Sequence, residues 1–279
     1  NGDGEEKSYW NAFEFENTIE PDEGAEGKLK SFTFEQTYND NGTVKKFEVD
    51  TTYMGKVDTT IKVEKMNLTD YTSSTESFTI QAYKLEHRVE VLQDDEDMEH
   101  PDWVELTVYL PLEEFESMMN IYIYSKVEYT DSDGGGGMFS YYLNEDMQKK
   151  MENGEAMYYP YSEGDLYNYD TWVLWGMYGW GWFWFSPFTE DYYLEEGSQS
   201  ISTPGGSYSY NVEKKTVTIS GYTFTASEVT ISASGFEGGT SIKGTFVPSI
   251  PVPLYLKVGG VGQDYYSYYE IELTEIELE

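Results

Sequence analysis

From Leu29 to the C terminus, apolar and polar residues alternate with a period of two, and this alternation limits the fold more than any other feature. Phe32, Phe34 and Tyr38 lead into Asn39-Asp-Asn-Gly42, where an Asn-Gly pair tolerates positive φ and so predicts a tight hairpin. Phe47, Val49, Thr51 and Tyr53 run to Gly55, read as a turn, and Val57, Ile61 and Val63 follow it. Further strands are expected at 78–91, 103–110 and 121–129. After the middle of the chain they resume at 208–212, 216–219, 222–224, 229–233, 242–246 and 254–258, separated by glycine- and proline-bearing turns. The chain closes on Tyr269-Glu-Ile-Glu-Leu273 and Ile276-Glu-Leu278. The pattern predicts a mainly β fold, a curved antiparallel sheet or half-barrel.

The middle departs from this period. A short helical turn is expected over 111–119. A clearer helix opens at Asn144, an N-cap residue, with Glu145 and Asp146 in its first turn and Lys149 and Lys150 near its end. Asn153-Gly154 stops it. Asp170 is a second candidate cap, so the half-barrel carries a short, aromatic-rich helical insert over about 144–188. Trp172, Trp175, Trp180, Trp182 and Trp184 are five of the seven tryptophans, and no charged residue lies between Asp170 and Glu190. A spanning helix needs about 20 predominantly apolar residues. Gly176, Gly179, Gly181 and Pro187 interrupt this stretch, so no transmembrane segment is expected. It reads as core, subunit interface or the wall of a ligand pocket. The expected division is an N-terminal arm over 1–28 and one β-rich domain over 29–279, with a sub-boundary near 197–206.

Charge removes several functions. The formal net charge is −35, with 17 lysines and arginines against 52 acidic residues. Neutralising phosphates needs Lys and Arg, so nucleic acid is excluded as a partner, and anionic membrane surfaces fail for the same reason. The absence of cysteine removes disulfides, thiolate metal sites and thiol catalysis. His87 and His100 are the only histidines, too few for a plausible triad or zinc site. With so many carboxylates, acid pairs carry no specific glycosidase signal. Two acidic runs are candidate calcium ligands, Asp131 with Asp133, and Asp94, Asp95 and Asp97; calcium is the one candidate cofactor. Asn41 and Asn67 head glycosylation sequons. The start at Asn1-Gly-Asp-Gly reads as a mature terminus left by signal-peptide removal.

The closing run Thr245-Phe-Val-Pro-Ser-Ile-Pro-Val-Pro-Leu-Tyr-Leu-Lys-Val258, read as a proline-spaced strand, and the terminal Glu-Ile-Glu-Leu strand resemble secreted archaeal surface proteins of a LolA-like half-barrel, lipoprotein-carrier type. The resemblance spans roughly 29–279 by pattern and implies secretion and a hydrophobic ligand; it carries over no functional residue. The expected function is that of a non-enzymatic extracellular structural protein, a subunit of a cell-surface filament or layer. Copies would join partly through strand donation by the N-terminal segment, with Tyr9, Trp10, Phe13 and Phe15 at the interface. The alternative is a half-barrel carrier for a lipid or other apolar ligand.

Overall fold

The computed structural model describes residues 15–95, 101–112, 125–164, 194–203, 205–235, 238–262 and 266–279. Over these the chain is mainly β, as its period predicts, with one helix. The strands are β1 (Thr18–Ile19), β2 (Gly27–Asp40), β3 (Thr43–Asn67), β4 (Ser73–Asp94), β5 (Trp103–Pro111), β6 (Ser125–Asp131), β7 (Gly136–Tyr141) and β8 (Ala156–Gly164). They continue with β9 (Gly197–Thr203), β10 (Gly206–Ile219), β11 (Tyr222–Gly235), β12 (Gly238–Phe246), β13 (Tyr255–Gly262) and β14 (Tyr266–Leu278). The chain forms two compact units. The first comprises Asn1–Thr51, Glu90–Glu99 and Trp184–Glu279, the second Thr52–Val89 and His100–Phe183. Both β3 and β4 contribute to each unit.

In the first unit the strand order is β3, β2, β14, β13, β12, β11, β10, β9. The β2–β3 hairpin turns where the sequence predicts, with φ of 52° at Asn41 and 95° at Gly42. Phe32, Phe34, Phe47, Val49, Leu256, Ile271 and Leu273 are buried, as period-two residues of a sheet's inner face should be. Leu29 and Phe32 are both buried although three residues apart. The register explains it: Leu29 faces Leu278 and Ser31 faces Glu277, so Lys30 is an extra residue that shifts the alternation.

Several expected breaks are absent. The segments 208–212 and 216–219 are one strand, β10, and 222–224 and 229–233 are one strand, β11. Gly55 does not end a strand. It lies inside β3 with φ of 86°, a conformation that glycine accepts without a Cβ penalty. Nor is the proline-spaced run one strand: its ends belong to β12 and β13. β12 ends at Phe246, and the residues up to Leu254 form a loop that buries Val247, Ile250, Val252 and Leu254. Proline has no N–H for a ladder, so Pro248, Pro251 and Pro253 force the chain off the sheet. Near the start, Phe15 and Glu16 form a turn where a strand was expected, and Thr18 and Ile19 pair with Lys28 and Gly27.

In the second unit the pairings run β3, β4, β5, β6, β7, β8 and return to β3, a ring of strands. The helix Glu145–Glu152 is the insert's described helical part. Its cap is the expected one: the Met147 N–H donates to Asn144 Oδ1 at 3.0 Å. Lys149 pairs with Glu145 at 3.5 Å and Lys150 with Asp146 at 2.5 Å, one turn apart. Met147 is buried in a core cluster with Ile61, Val63, Ile80, Tyr142, Ala156 and Tyr158. After Gly154 (φ 69°) the chain returns as β8, which pairs with β3 from Val63↔Pro160 to Asn67↔Ala156. The rest of the insert, 165–188, lies outside the described residues, as does 113–119 of the expected helical turn; Pro111 itself ends β5.

His87 sits in β4, only 4% exposed, and burial pushes its imidazole from the usual value near 6.5 down to about 3. The fold therefore accepts the neutral ring. Its contribution is intact above the ordinary pKa and declines as pH falls from 6.5 towards 3. Substituting His87→Phe should flatten the pH dependence of thermal unfolding between pH 6.5 and 5, above the range where most carboxylates titrate. The wild-type protein should lose up to about 1.4 kcal/mol per pH unit more than the variant there.

Candidate functional site

The functional features of the first unit follow from its cross-strand register. Lys215 faces Ala226, Glu228 faces Thr245, Lys243 faces Lys257, and Lys257 faces Glu270. Paired residues share a face, and so do residues two apart on one strand. Lys215, Glu228, Lys243, Lys257 and Glu270 therefore fall on one face of β10 to β14. Glu228 accepts from Lys215 at 2.5 Å and pairs with Lys243 at 3.1 Å. Lys257 meets Glu270 at 2.8 Å, and the Tyr255 hydroxyl donates to the same carboxylate at 2.7 Å. Farther along, Lys46 on β3 pairs with Glu35 on β2 at 2.5 Å.

These contacts set the protonation states. The Lys215 hydrogen bond, joined by that of Lys243, holds the Glu228 carboxyl below its usual range despite partial burial. Burial, reinforced by the bond to Glu270, raises the Tyr255 phenol.

An open depression of about 300 Å³ lies over this ladder, lined by Lys215, Val217, Glu228, Lys243, Leu254 and Tyr255 among others. Its central charges are committed to one another. Thr245 also lines the depression, and its Oγ1 is buried without a hydrogen-bond partner. The arrangement ties Glu228 to Lys215 and Lys243, and Glu270 to Lys257 and Tyr255.

The other end of the same sheet differs sharply. The stretch 197–211 contains no charged residue, nor do 229–235, 238–242 and 258–263. Register brings these segments side by side. Ser200, Ser209, Ser232, Ser241, Gly259 and Tyr268 form one cross-strand row. The neighbouring row begins Ser202, Ser207, Ser234 and Gly239, and there the hydroxyls of Ser207 and Ser234 lie 2.7 Å apart. At the margin is β9, Gly-Ser-Gln-Ser-Ile-Ser-Thr. Among the described residues it pairs only with β10, and all seven of its residues are exposed, Ile201 at 62%. Where the sub-boundary near 197–206 was expected, β9 and β10 are paired neighbours, Thr203 facing Gly206 and Gly205 N–H donating to Thr203 Oγ1 at 3.3 Å.

The residues singled out in the sequence do not gather in one place. Phe15 is fully buried within its own chain. Asp131 Oδ1 accepts from the backbone N–H groups of Asp133 at 2.9 Å and Gly135 at 2.8 Å, so this carboxylate serves the β6–β7 turn. Asp94 closes β4, and Asp95 accepts from Val44 N–H at 2.9 Å and Gln93 Nε2 at 2.8 Å. Among the described residues no three His, Cys, Asp or Glu side chains converge as a metal site. Asn41 is exposed in the β2–β3 turn, its Oδ1 accepting from Tyr266 N–H at 2.9 Å. Asn67 Oδ1 accepts from Thr69 N–H at 2.9 Å. Tyr9, Trp10, Phe13, Asp97, His100, Trp172, Trp175, Trp180, Trp182 and Trp184 lie outside the described residues.

Sequence reasoning missed both the lysine–glutamate ladder and β9. A signal for β9 was present, the serine at every second position inside the uncharged run 197–211. No helix among the described residues is long and apolar enough to cross a membrane. No protein-family model, curated protein or solved structure matches the chain.

Removing the shared acceptor should expose how little the ladder is worth in water. Glu228→Gln should lower the urea-unfolding free energy at pH 7 by about 1 kcal/mol at low salt, because partly exposed pairs contribute little. The carboxyl is held below its usual pKa, so its contribution is present above that value and fades as pH falls through the folded value. The difference between wild type and variant should accordingly shrink in acid and in 1 M salt, where the Debye length is about 3 Å.

Proposed function

We propose that this chain is a non-enzymatic structural protein of the extracellular space or cell surface, a subunit that joins copies of itself through sheet edges. The observation that carries this reading is the margin at β9: exposed along its whole length and uncharged, in a chain of net charge −35. A free strand edge offers a row of backbone donors and acceptors, and natural proteins normally protect it with charge, proline or a covering segment. Within β9 there is no charged residue and no proline. Its exposure leaves it available to another chain.

The remaining features fit a scaffold better than a catalyst. His87 is buried and neutral, and the ladder's charges are spent on each other. In this reading the N-terminal segment through Tyr9, Trp10 and Phe13 enters a neighbour's sheet, and burial of Phe15 in its own chain marks where the donated part ends. Bridging by calcium or screening by salt brings such acidic subunits together.

The test is assembly of the full chain and of a form lacking residues 1–14, followed by sedimentation and negative-stain microscopy. The full chain should form polymers, more readily as salt rises from 0.05 to 0.5 M on the order of the screening range. The truncated form should stay folded by circular dichroism and fail to polymerise. Normal polymers from the truncated form would rule out strand donation, and a monomeric full chain at every salt and calcium concentration would rule out the function.

A further inference from the structure

We propose that β9 pairs with β9 of a second copy, antiparallel and across a two-fold axis at Ser200. This inference rests on the self-associating reading above and names the partner of that edge.

Three observations lead to it. The first is electrostatic. Two copies of a chain carrying −35 repel at most approaches, and β9 itself carries no charge; the exposed Glu195 and Glu196 just before it fall at the two ends of the pairing and not opposite each other. The lysine–glutamate ladder starts only at the row that Lys243 and Lys257 share with Thr230 and Asn211. The N-terminal segment, by contrast, carries Asp3, Glu5, Glu6 and Glu14, which makes it a poorer match to this margin.

The second is the symmetry of the strand itself. A two-fold contact uses the same patch on both copies, so the residue at the axis meets itself and its neighbours meet in reciprocal pairs. With the axis at Ser200, Ser198 faces Ser202 and Gln199 faces Ile201. Every serine then lies on one face, because side chains alternate along a strand. The exposed Ile201 is brought beside the aliphatic part of Gln199 from the other copy. A shift of the pairing by one residue would place serines opposite Gln199 and Ile201 and break this match.

The third is continuity. Ser200 already heads a row through Ser209, Ser232 and Ser241, and the axis extends that row into the second copy. The Ser207–Ser234 contact at 2.7 Å shows that hydroxyls in such rows bond across strands of this sheet. Alternate residues of an antiparallel strand turn their N–H and C=O groups to opposite sides, so β9 has such groups directed away from β10. The joined edges satisfy them. A two-fold contact by itself closes at two copies; open-ended assembly takes the second, donated-strand contact.

The chain has no cysteine, so single cysteines report the contact directly. Full-length Ser198→Cys, Ser200→Cys and Ser202→Cys proteins are oxidised with copper-phenanthroline and read by non-reducing electrophoresis and intact mass. Thr69→Cys, in an exposed turn, serves as the collisional control. Ser200→Cys should link to itself at least tenfold faster than the control, since facing Cα atoms about 4.5–5.5 Å apart suit a disulfide. Ser198→Cys and Ser202→Cys should each link to themselves no faster than the control, their own Cα atoms being about 13 Å apart along the strands. Mixed together they should give the heterodimer. Ser200→Lys should abolish the sedimenting dimer while leaving circular dichroism unchanged. Linking of Ser200→Cys at the control rate, or a dimer that persists in Ser200→Lys, overturns the proposal. If that happens while polymers that need residues 1–14 still form, the edge contact alone is wrong. If neither links nor polymers appear, the self-associating reading falls with it.

Discussion

Pairing of backbone N–H and C=O groups between antiparallel strands is the interaction on which the rest of this structure depends. Each ladder fixes a register, and register decides which side chains become neighbours. Where a ladder slips by one residue, as at Lys30 on β2 and Thr274 on β14, the alternation resets so that Leu29, Phe32 and Phe34 all reach the interior. Thr274 Oγ1 donates to the Thr33 carbonyl at 3.1 Å at its own slip, giving the displaced backbone a partner. The lysine–glutamate ladder, the serine rows and the exposed margin at β9 are all consequences of the same register.

Charge is arranged in two regimes. Several lysines reach carboxylates on adjacent strands, as Lys215 and Lys243 reach Glu228 and Lys257 meets Glu270, although Lys243 and Lys257 themselves face each other. Lys257 also lies 3.8 Å from the centre of the Tyr268 ring. Such pairs add little net stability at a surface, but they offset the repulsion where carboxylates face one another, as Glu213 and Glu228 do on β10 and β11. Glu48 shows what happens without a cation: burial, with the nearby charges of Asp50 and Glu90, raises its carboxyl above the usual value. The far ends of β9 to β14 follow the other regime, their paired residues there carrying no charge, and hydroxyls take over cross-strand contacts. A strongly acidic chain that associates with itself needs one surface of this kind.

How much of this could be read in advance depended on how far apart the interacting residues lie in the chain. The Asn41-Gly42 hairpin and the Asn144-capped helix were legible because their determinants are local: two positive φ values, one capping carbonyl, charges spaced a single turn apart. The mainly β class was legible because alternation at period two leaves a chain no other way to bury one face. Local signals also misled. Gly55 looked like a break, yet β3 runs through it, because glycine accepts its φ of 86° without a Cβ penalty. The proline-spaced segment looked like a strand because its valines, isoleucine and leucine alternate, yet missing N–H groups keep it off the sheet and its apolar residues pack as a buried loop.

By itself, then, the sequence determined the strand period, the Asn41-Gly42 turn, the helix cap, the excess of negative charge and the uncharged serine-rich run at 197–211. Only the tertiary structure decided that Glu228 meets Lys215 and Lys243, that Ser200 stands in line with Ser209, Ser232 and Ser241, and that β9 is left at the margin. The reason is physical. A period of two says that a residue faces one side or the other, but a two-residue slip between distant strands changes every neighbour while leaving that pattern intact. The choice among registers is made by all the strands closing their hydrogen bonds and burying their apolar faces together.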